Sequence, residues 1–273
     1  MNPINFNAYD HNFCESTIYS FGPHPEYANA LTSLFISWIG INGLRNPYNS
    51  FSTLMLYSSL VINGITSCFY HYYNNIGWGL LDRMSMVLIA MSSTYLFIQH
   101  IHLFLIFDKW IQHDAITKII HILIIAYFTF LFTVGGLHWE NIFNILFGLF
   151  LASLPIYMWL VEKNQWNLKM PYQMIKIGWK GIRKIFLSGI FWIITEIFCN
   201  KLSIFKYMFG HVWWHIYVSY GGYLVSLVPV YLHMCSQSNG KQIISKKILN
   251  QFWSNQLGDK TFVFGGFPSL NNF

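Results

Sequence analysis

The stretch His211-Val212-Trp213-Trp214-His215 lies inside a long apolar run, residues 204–233, which predicts a membrane-spanning helix. Histidines four residues apart on a helix project from one face, with Cβ atoms about 5–6 Å apart, so both imidazoles can reach one metal ion. An ionisable side chain in a bilayer costs free energy unless it is compensated, and two together indicate a functional site. The pentapeptide therefore predicts part of a metal site within a membrane helix.

The composition is typical of a polytopic membrane protein. Of the 273 residues, 54% are hydrophobic and only 10% are charged, with a mean hydropathy of +0.40, whereas a soluble domain is about 25% charged. The alternative, a soluble protein with a very large core, lacks the charged surface that keeps a protein in solution. The net charge of +6 comes mainly from loops between apolar runs, without a basic stripe among exposed aromatics, which argues against nucleic acid as a partner.

Seven apolar segments are long enough to approach the ~20 residues that a membrane-spanning helix needs. We therefore expect an all-α integral membrane protein, a seven-transmembrane helix bundle with an intramembrane zinc site. The expected single domain has an N-terminal segment (1–27), a helix bundle (28–234) and a C-terminal tail (235–273). The predicted segments are 28–44, 51–72, 79–99, 116–134, 141–161, 174–198 and 207–233.

The basic residues of the loops predict the orientation of the bundle. The N-terminal segment and the loops 73–78 and 135–140 carry no Lys or Arg, and only Lys201 and Lys206 oppose the pattern. Because cytosolic loops carry an excess of Lys and Arg, we expect a lumenal N-terminus and a cytosolic C-terminus.

This topology brings a third histidine near the first two. His71 lies close to the lumenal end of the second segment, and His211 and His215 lie near the lumenal start of the seventh. Three neutral imidazoles with an open fourth position form the ligand set of a hydrolytic zinc site. Such an ion lowers the pKa of water to about 7 and makes hydroxide available at neutral pH.

Two polar residues are predicted at the same depth. Asp82, near the start of the third segment, can orient a water and take its proton; the alternative is a structural salt bridge, although the adjacent Arg83 points elsewhere on a helix. An intramembrane acid favours the functional interpretation. Ser67 precedes His71 by four residues, so its hydroxyl can bond a water or a developing oxyanion. A bond to its own helix carbonyl is equally compatible with its position.

The N-terminal segment offers oxygen ligands at Asn12, Glu15, Thr17 and Glu26. Oxygen atoms on one short segment suit a hard cation such as calcium. From spacing alone, ordinary solvated polar residues are the better interpretation.

Four motifs, in order along the chain, resemble those of the alkaline ceramidase family. Gly64-Ile-Thr-Ser-Cys-Phe-Tyr-His71 resembles the family's G-x-x-S-x-x-x-H, and Leu80-Leu81-Asp82 is similar to its L-L-D-E, with Arg83 in place of the acid. His211-Val-Trp-Trp-His215 resembles H-A-W-W-H, and Phe264-Gly-Gly-Phe-Pro268 resembles F-G-x-x-P. The family lies in a superfamily of seven-helix membrane hydrolases that includes adiponectin-receptor-like proteins.

The resemblance implies an activity and a site. A zinc ion would be bound by His71, His211 and His215, with Ser67 and Asp82 assisting the water. The expected enzyme is a ceramidase of the endoplasmic reticulum or Golgi membrane, a hydrolase of linear amide C–N bonds. It would cleave ceramide, taken from the bilayer, into a sphingoid base and a fatty acid, without an obligate protein partner.

The resemblance also implies a calcium site and a disulfide. The family's calcium ligands correspond to Asn12, Phe13, Glu15, Thr17 and Glu26, where Asn12 replaces an aspartate and Thr17 an asparagine. The loss of one formal charge is expected to weaken calcium binding. The implied disulfide joins Cys14 and Cys199, which the predicted topology places in the oxidising lumen.

Three other functions compete with this prediction. A related metal hydrolase would act on another lipid amide or ester, and a receptor-like protein would hold a structural zinc. A metal transporter would need polar residues along the whole path through the bilayer, but the candidate ligands cluster on one side.

Overall fold

The computed structural model describes residues 5–10, 13–15, 25–46, 49–101, 122–123, 126, 140–163, 170–199 and 201–237. Six long helices lie within these residues, and a short 3-10 helix, Ser203–Met208, precedes the last of them. The only β pairing among the described residues is an isolated bridge between Tyr9 and Asn75. The helices are α1 (Tyr27–Leu44), α2 (Phe51–Tyr73), α3 (Ile76–Ile101), α4 (Glu140–Lys163), α5 (Tyr172–Phe198) and α6 (Gly210–Gln237).

Six of the seven predicted segments correspond to these helices. The predicted segment 116–134 lies outside the described residues, apart from 122–123 and 126, which are helical. The last segment differs most from its prediction: α6 begins at Gly210 rather than 207, because Phe209 adopts a left-handed conformation (φ 50°) after the 3-10 helix. At its other end α6 continues to Gln237, so the bundle extends three residues beyond the predicted boundary at 234.

Two helical stretches, Phe51–Tyr73 and Ile76–Phe97, are long and apolar enough to cross a membrane by length and composition. Between them, Asn74 has a positive φ of 48° and ends α2 directly after the histidine-bearing turn. Asparagine tolerates this left-handed conformation better than most residues. The side chain of Asn75 then accepts a hydrogen bond from Trp78 N–H at 3.0 Å, which satisfies one free donor at the start of α3.

Small residues set the closest helix contacts, α1 against α2 and α5 against α6. A Cβ added to Gly40 on α1 would lie 2.7 Å from the carbonyl oxygen of Tyr57 on α2. On α5, a Cβ added to Gly181 would lie 2.6 Å from the carbonyl oxygen of Gly221 on α6. Glycine lets two helix backbones approach this closely. The helix pair α1–α2 contacts the helix pair α5–α6 where α1 packs on α6. This contact brings the end of α2 beside the start of α6.

Candidate metal centre

Three buried histidines converge where α2 ends and α6 begins. His71, His211 and His215 are 2%, 5% and 4% exposed, and each offers a ligand atom within 4.8 Å of the others. The ring of His71 lies 5.0 Å from each of the other two rings, which are 4.4 Å apart. No other histidine, cysteine or carboxylate side chains converge in threes among the residues that the structure describes. Burying three imidazoles together is favourable when their lone pairs share a cation.

The outer nitrogens of two of these rings have oxygen partners. Nδ1 of His71 lies 2.7 Å from Oε2 of Glu26. Nδ1 of His215 lies 3.2 Å from Oγ1 of Thr32 and 3.3 Å from Oγ of Ser33. A carboxylate beside Nδ1 holds the proton on that nitrogen and leaves the lone pair on Nε2, the arrangement common in metal-ligating histidines. The described residues therefore fit a metal ion bound by three imidazoles.

Asp82 and Ser67 lie near the histidines, since Ser67 shares a partner, Ser33, with His215 and hydrogen-bonds Asp82. The side-chain amide of Asn63 donates to Oδ1 of Asp82 at 3.0 Å, and the Ser67 hydroxyl also hydrogen-bonds this carboxylate. Ser67 accepts a hydrogen bond from Ser33 Oγ at 3.0 Å, a contact between α2 and α1. The site thus combines three imidazoles that could hold a metal ion, a carboxylate and a hydroxyl, groups that can serve in the hydrolysis of an acyl compound.

Arg83, the neighbour of Asp82, has a different partner. Its guanidinium lies 3.6 Å from Oδ2 of Asp10, and the same oxygen accepts a hydrogen bond from the Tyr70 hydroxyl at 3.0 Å. The structure therefore pairs Arg83 with the N-terminal segment, while Asp82 faces Asn63 and Ser67.

The comparison with known proteins agrees with this constellation. The sequence model of the ceramidase family matches residues 8–257, a range that contains the three histidines, Ser67 and Asp82. This chain belongs to the ceramidase family. It is also similar to a Drosophila melanogaster protein described as alkaline ceramidase, with 23% identity over 190 residues. The match covers 68% of this chain and 62% of the Drosophila protein, so the chain spans less than two thirds of that relative's length.

In this ceramidase-family protein, Glu26 connects the N-terminal segment to the metal centre. Its Oε1 accepts from the Phe13 N–H at 3.0 Å, and its Oε2 accepts from Asn29 Nδ2 at 3.1 Å in addition to His71. Burial raises the pKa of Glu26, but the hydrogen bonds from His71, Phe13 and Asn29 favour the carboxylate, and the pKa lies below its ordinary value. Glu26 is therefore an ionised partner of His71, a role that the sequence analysis did not predict.

Aromatic rings cover the histidines of this ceramidase-family protein. Phe13 stacks on His211 with ring centroids 3.8 Å apart, and Trp192 meets the same imidazole edge-on at 4.9 Å. A disulfide joins Cys14 to Cys199, the pair that the family resemblance implies, and so anchors Phe13 above the site. The carboxylate of Glu196 also accepts from the Cys14 N–H at 3.2 Å.

The predicted calcium ligands are only partly placed. Asn12 and Thr17 lie outside the described residues, Phe13 and Glu26 contact His211 and His71, and Glu15 lies near Glu26 and Glu196. Glu15 is 3% exposed, and burial, followed by the charges of Glu196 and Glu26, raises its pKa to about 7. The Glu26 carboxylate already accepts three hydrogen bonds. A carboxylate offers about four lone-pair positions, so few remain to bind a calcium ion.

Sequence reasoning also missed Thr32 and Ser33. Both lie on α1, and Ser33 contacts α2 and α6 as well. The sequence signal was the four-residue spacing of Asn29, Ser33 and Ser37, with Thr32 beside them, which places polar side chains on one face of an otherwise apolar helix. That pattern marks a polar face but does not say which residues it meets.

Proposed function

We propose that this protein hydrolyses the amide bond of ceramide at a zinc centre and releases a sphingoid base and a fatty acid. The observation that carries the proposal is the buried group of His71, His211 and His215 beside Asp82, in a chain of the ceramidase family. Three imidazoles are a frequent ligand set of catalytic zinc. A zinc ion bound there supplies a Lewis acid that polarises the amide carbonyl and makes water a better nucleophile at neutral pH.

Asp82 is the proposed proton carrier. Its carboxylate takes a proton from the attacking water as the new C–O bond forms, and it returns that proton to the amine nitrogen as the C–N bond breaks. The amide of Asn63, 3.0 Å from Oδ1, restrains the carboxylate through both steps. The proton lost by the water is the proton gained by the leaving nitrogen, so the amine leaves neutral and Asp82 ends as a carboxylate.

Ser67 is the proposed hydrogen-bond donor to the substrate carbonyl. Its hydroxyl donates to the carbonyl oxygen as negative charge develops there, and a donor in a buried site stabilises that charge strongly. Ser67 is buried on the α2 face that carries His71, since the two are four residues apart.

We propose that ceramide reaches the site from a bilayer crossed seven times by the chain, with the N-terminus in the lumen of the endoplasmic reticulum or Golgi. The apolar stretches of α2 and α3 and the distribution of loop charges support this arrangement. Apolar side chains that face outward, as lipid-facing side chains do, also line α5. They are Phe186, Leu187, Ile190, Ile193, Ile194 and Ile197.

Calcium is a second proposed cofactor, bound by Asn12, Phe13, Glu15, Thr17 and Glu26. The support is the family resemblance together with two buried carboxylates, Glu15 and Glu26. Because Asn12 carries no charge and Glu26 is shared with His71, we expect weak binding. Calcium titration of the purified wild-type protein and of Glu15→Gln measures the affinity. Equal calcium affinity in the two proteins contradicts this site.

Product analysis on the purified full-length protein in lipid nanodiscs tests the main proposal. Mass spectrometry should detect sphingoid base and fatty acid from a ceramide panel, and a zinc chelator should abolish both. His215→Ala should lose the zinc and the activity together. Release only from other lipid amides or esters favours a related hydrolase, and bound zinc without any product favours a receptor-like protein. Full activity in metal-free protein would refute the zinc centre.

A further inference from the structure

Ser33 on α1 lies between two site residues that belong to other helices. Its Oγ is 3.0 Å from Oγ of Ser67 on α2 and 3.3 Å from Nδ1 of His215 on α6. The side chain is fully buried, at 0% exposure. Because Ser33 is shielded from bulk solvent, the neighbouring protein donors and acceptors decide the direction of its hydrogen bonds.

The direction of each hydrogen bond can be assigned. If His215 offers Nε2 to a metal, its Nδ1 carries the proton and donates. The Ser33 oxygen is then one of its acceptors, beside Thr32 Oγ1 and the Asn29 backbone. A hydroxyl has one proton to donate. For Ser33 that proton has two acceptors, the carbonyl oxygen of Asn29 at 2.8 Å and the hydroxyl oxygen of Ser67 at 3.0 Å.

We propose that Ser33 is a positioning residue that accepts a hydrogen bond from His215 and donates one to Ser67. When Ser33 donates, Ser67 cannot donate back to it. The Ser67 proton therefore stays on the side of the site that holds Asp82, its acceptor without substrate, and is available there to the substrate carbonyl. As that carbonyl oxygen gains charge, it pulls on the Ser67 proton and makes the Ser67 oxygen a better acceptor for Ser33. The proposal rests on the proposed function, which assigns the role of Ser67.

Neighbouring hydroxyls on α1 make only part of this connection. Thr32 Oγ1 also lies near Nδ1 of His215, at 3.2 Å. However, its acceptors are the carbonyls of Ala28 at 2.8 Å and Asn29 at 3.2 Å, whereas Ser33 also donates to Ser67. Ser37, one turn beyond Ser33, donates to the carbonyl of Val61 at 2.8 Å. Ser37→Ala is therefore a matched control: the same deletion of a hydroxyl, on the same helix and against the same neighbouring helix, but outside the site.

The test measures ceramide hydrolysis and zinc affinity for the full-length zinc-loaded protein in nanodiscs. At saturating zinc, Ser33→Ala should lower kcat roughly tenfold, the scale of one lost hydrogen bond, because Ser67 loses its donor, with KM changed less than about twofold. The double variant Ser33→Ala/Ser67→Ala should be no slower than Ser67→Ala alone, because both deletions interrupt one connection. Zinc affinity, from competition with a chelator, should fall roughly tenfold in Ser33→Ala and stay constant in Ser67→Ala.

Each outcome decides one link. Additive losses in the double variant, or equal kcat for Ser33→Ala and Ser37→Ala, overturn the link to Ser67. Unchanged zinc affinity in Ser33→Ala overturns the link to His215. If Ser33→Ala does not fold, Ser33→Cys, which has nearly the same size and is a weaker donor, should show the same pattern. A wild-type protein that binds zinc but releases no sphingoid base contradicts the proposed function, while its zinc affinities still test the His215 link.

Discussion

Glu26 holds His71 at two points: its carboxylate lies 2.7 Å from Nδ1 of the imidazole, and its backbone N–H donates to the His71 carbonyl oxygen at 2.8 Å. These contacts fasten the start of α1 to the last turn of α2. The side-chain bond orients the ring, and the backbone bond holds the helix end that carries it. Together they fix both the orientation and the position of the His71 imidazole.

Replacing Glu26 by glutamine should weaken metal binding. Glu26→Gln keeps the shape of the side chain but removes the charge that fixes the Nδ1 proton of His71, and the loss of such a partner lowers metal affinity roughly 10–100-fold. Competition with a zinc chelator measures the change. Glu162→Gln is the control, since Glu162 accepts from Trp179 Nε1 at 2.9 Å, away from the histidines. Equal zinc affinity in both variants would show that Glu26 does not orient the ligand.

Asp82→Asn should abolish proton transfer while zinc binding persists. A general base contributes typically 10²–10⁴-fold to a rate, so we expect kcat for ceramide to fall by roughly that factor. Bound zinc, measured by elemental analysis, should remain at the wild-type level because Asp82 is not one of the three converging ligands. Asp10→Asn, which alters the partner of Arg83 instead, should keep kcat within a few-fold of wild type. A loss of zinc in Asp82→Asn would assign Asp82 to metal binding.

Loss of the disulfide should destabilise the fold. Cys14 and Cys199 are 185 residues apart in sequence, and cross-links that close long loops typically contribute about 2–4 kcal/mol. The paired variant Cys14→Ser/Cys199→Ser should lose free energy of unfolding of that order in detergent-based denaturation. Cys68→Ser is the control, because Cys68 is a free thiol. If the two proteins unfold alike, the cross-link contributes nothing to stability.

Glu15 should make stability depend on pH. Its pKa is raised from the usual 4.5 to about 7 in the folded protein, so the folded chain holds this proton more tightly than the unfolded chain does. Stability from this group is therefore fully present below pH 4.5 and is lost as the pH rises to about 7. In calcium-free buffer, Glu15→Gln should show a smaller loss of stability between pH 5 and pH 8 than wild type or Glu162→Gln. Parallel pH profiles would contradict the assignment.

The sequence by itself determined the six described helices and the three histidines that converge. Apolar runs predicted the six described helices within a few residues, because a helix that crosses a bilayer needs about 20 mostly apolar residues in a row. His211 and His215 were predictable as a pair, since helical geometry places residues i and i+4 on one face. His71 required one further step, the alternation of helix direction across the membrane.

Only the tertiary structure decided what surrounds these histidines. The contact of Glu26 with His71 joins residues 45 apart in sequence, and that of Ser33 with His215 joins residues 182 apart. Both depend on how closely α1 approaches α2 and α6, which glycines such as Gly40 permit by letting backbones approach closely. Local sequence specifies the direction of a side chain from its own helix, but the partner it meets depends on the packing of helices that are distant in the chain.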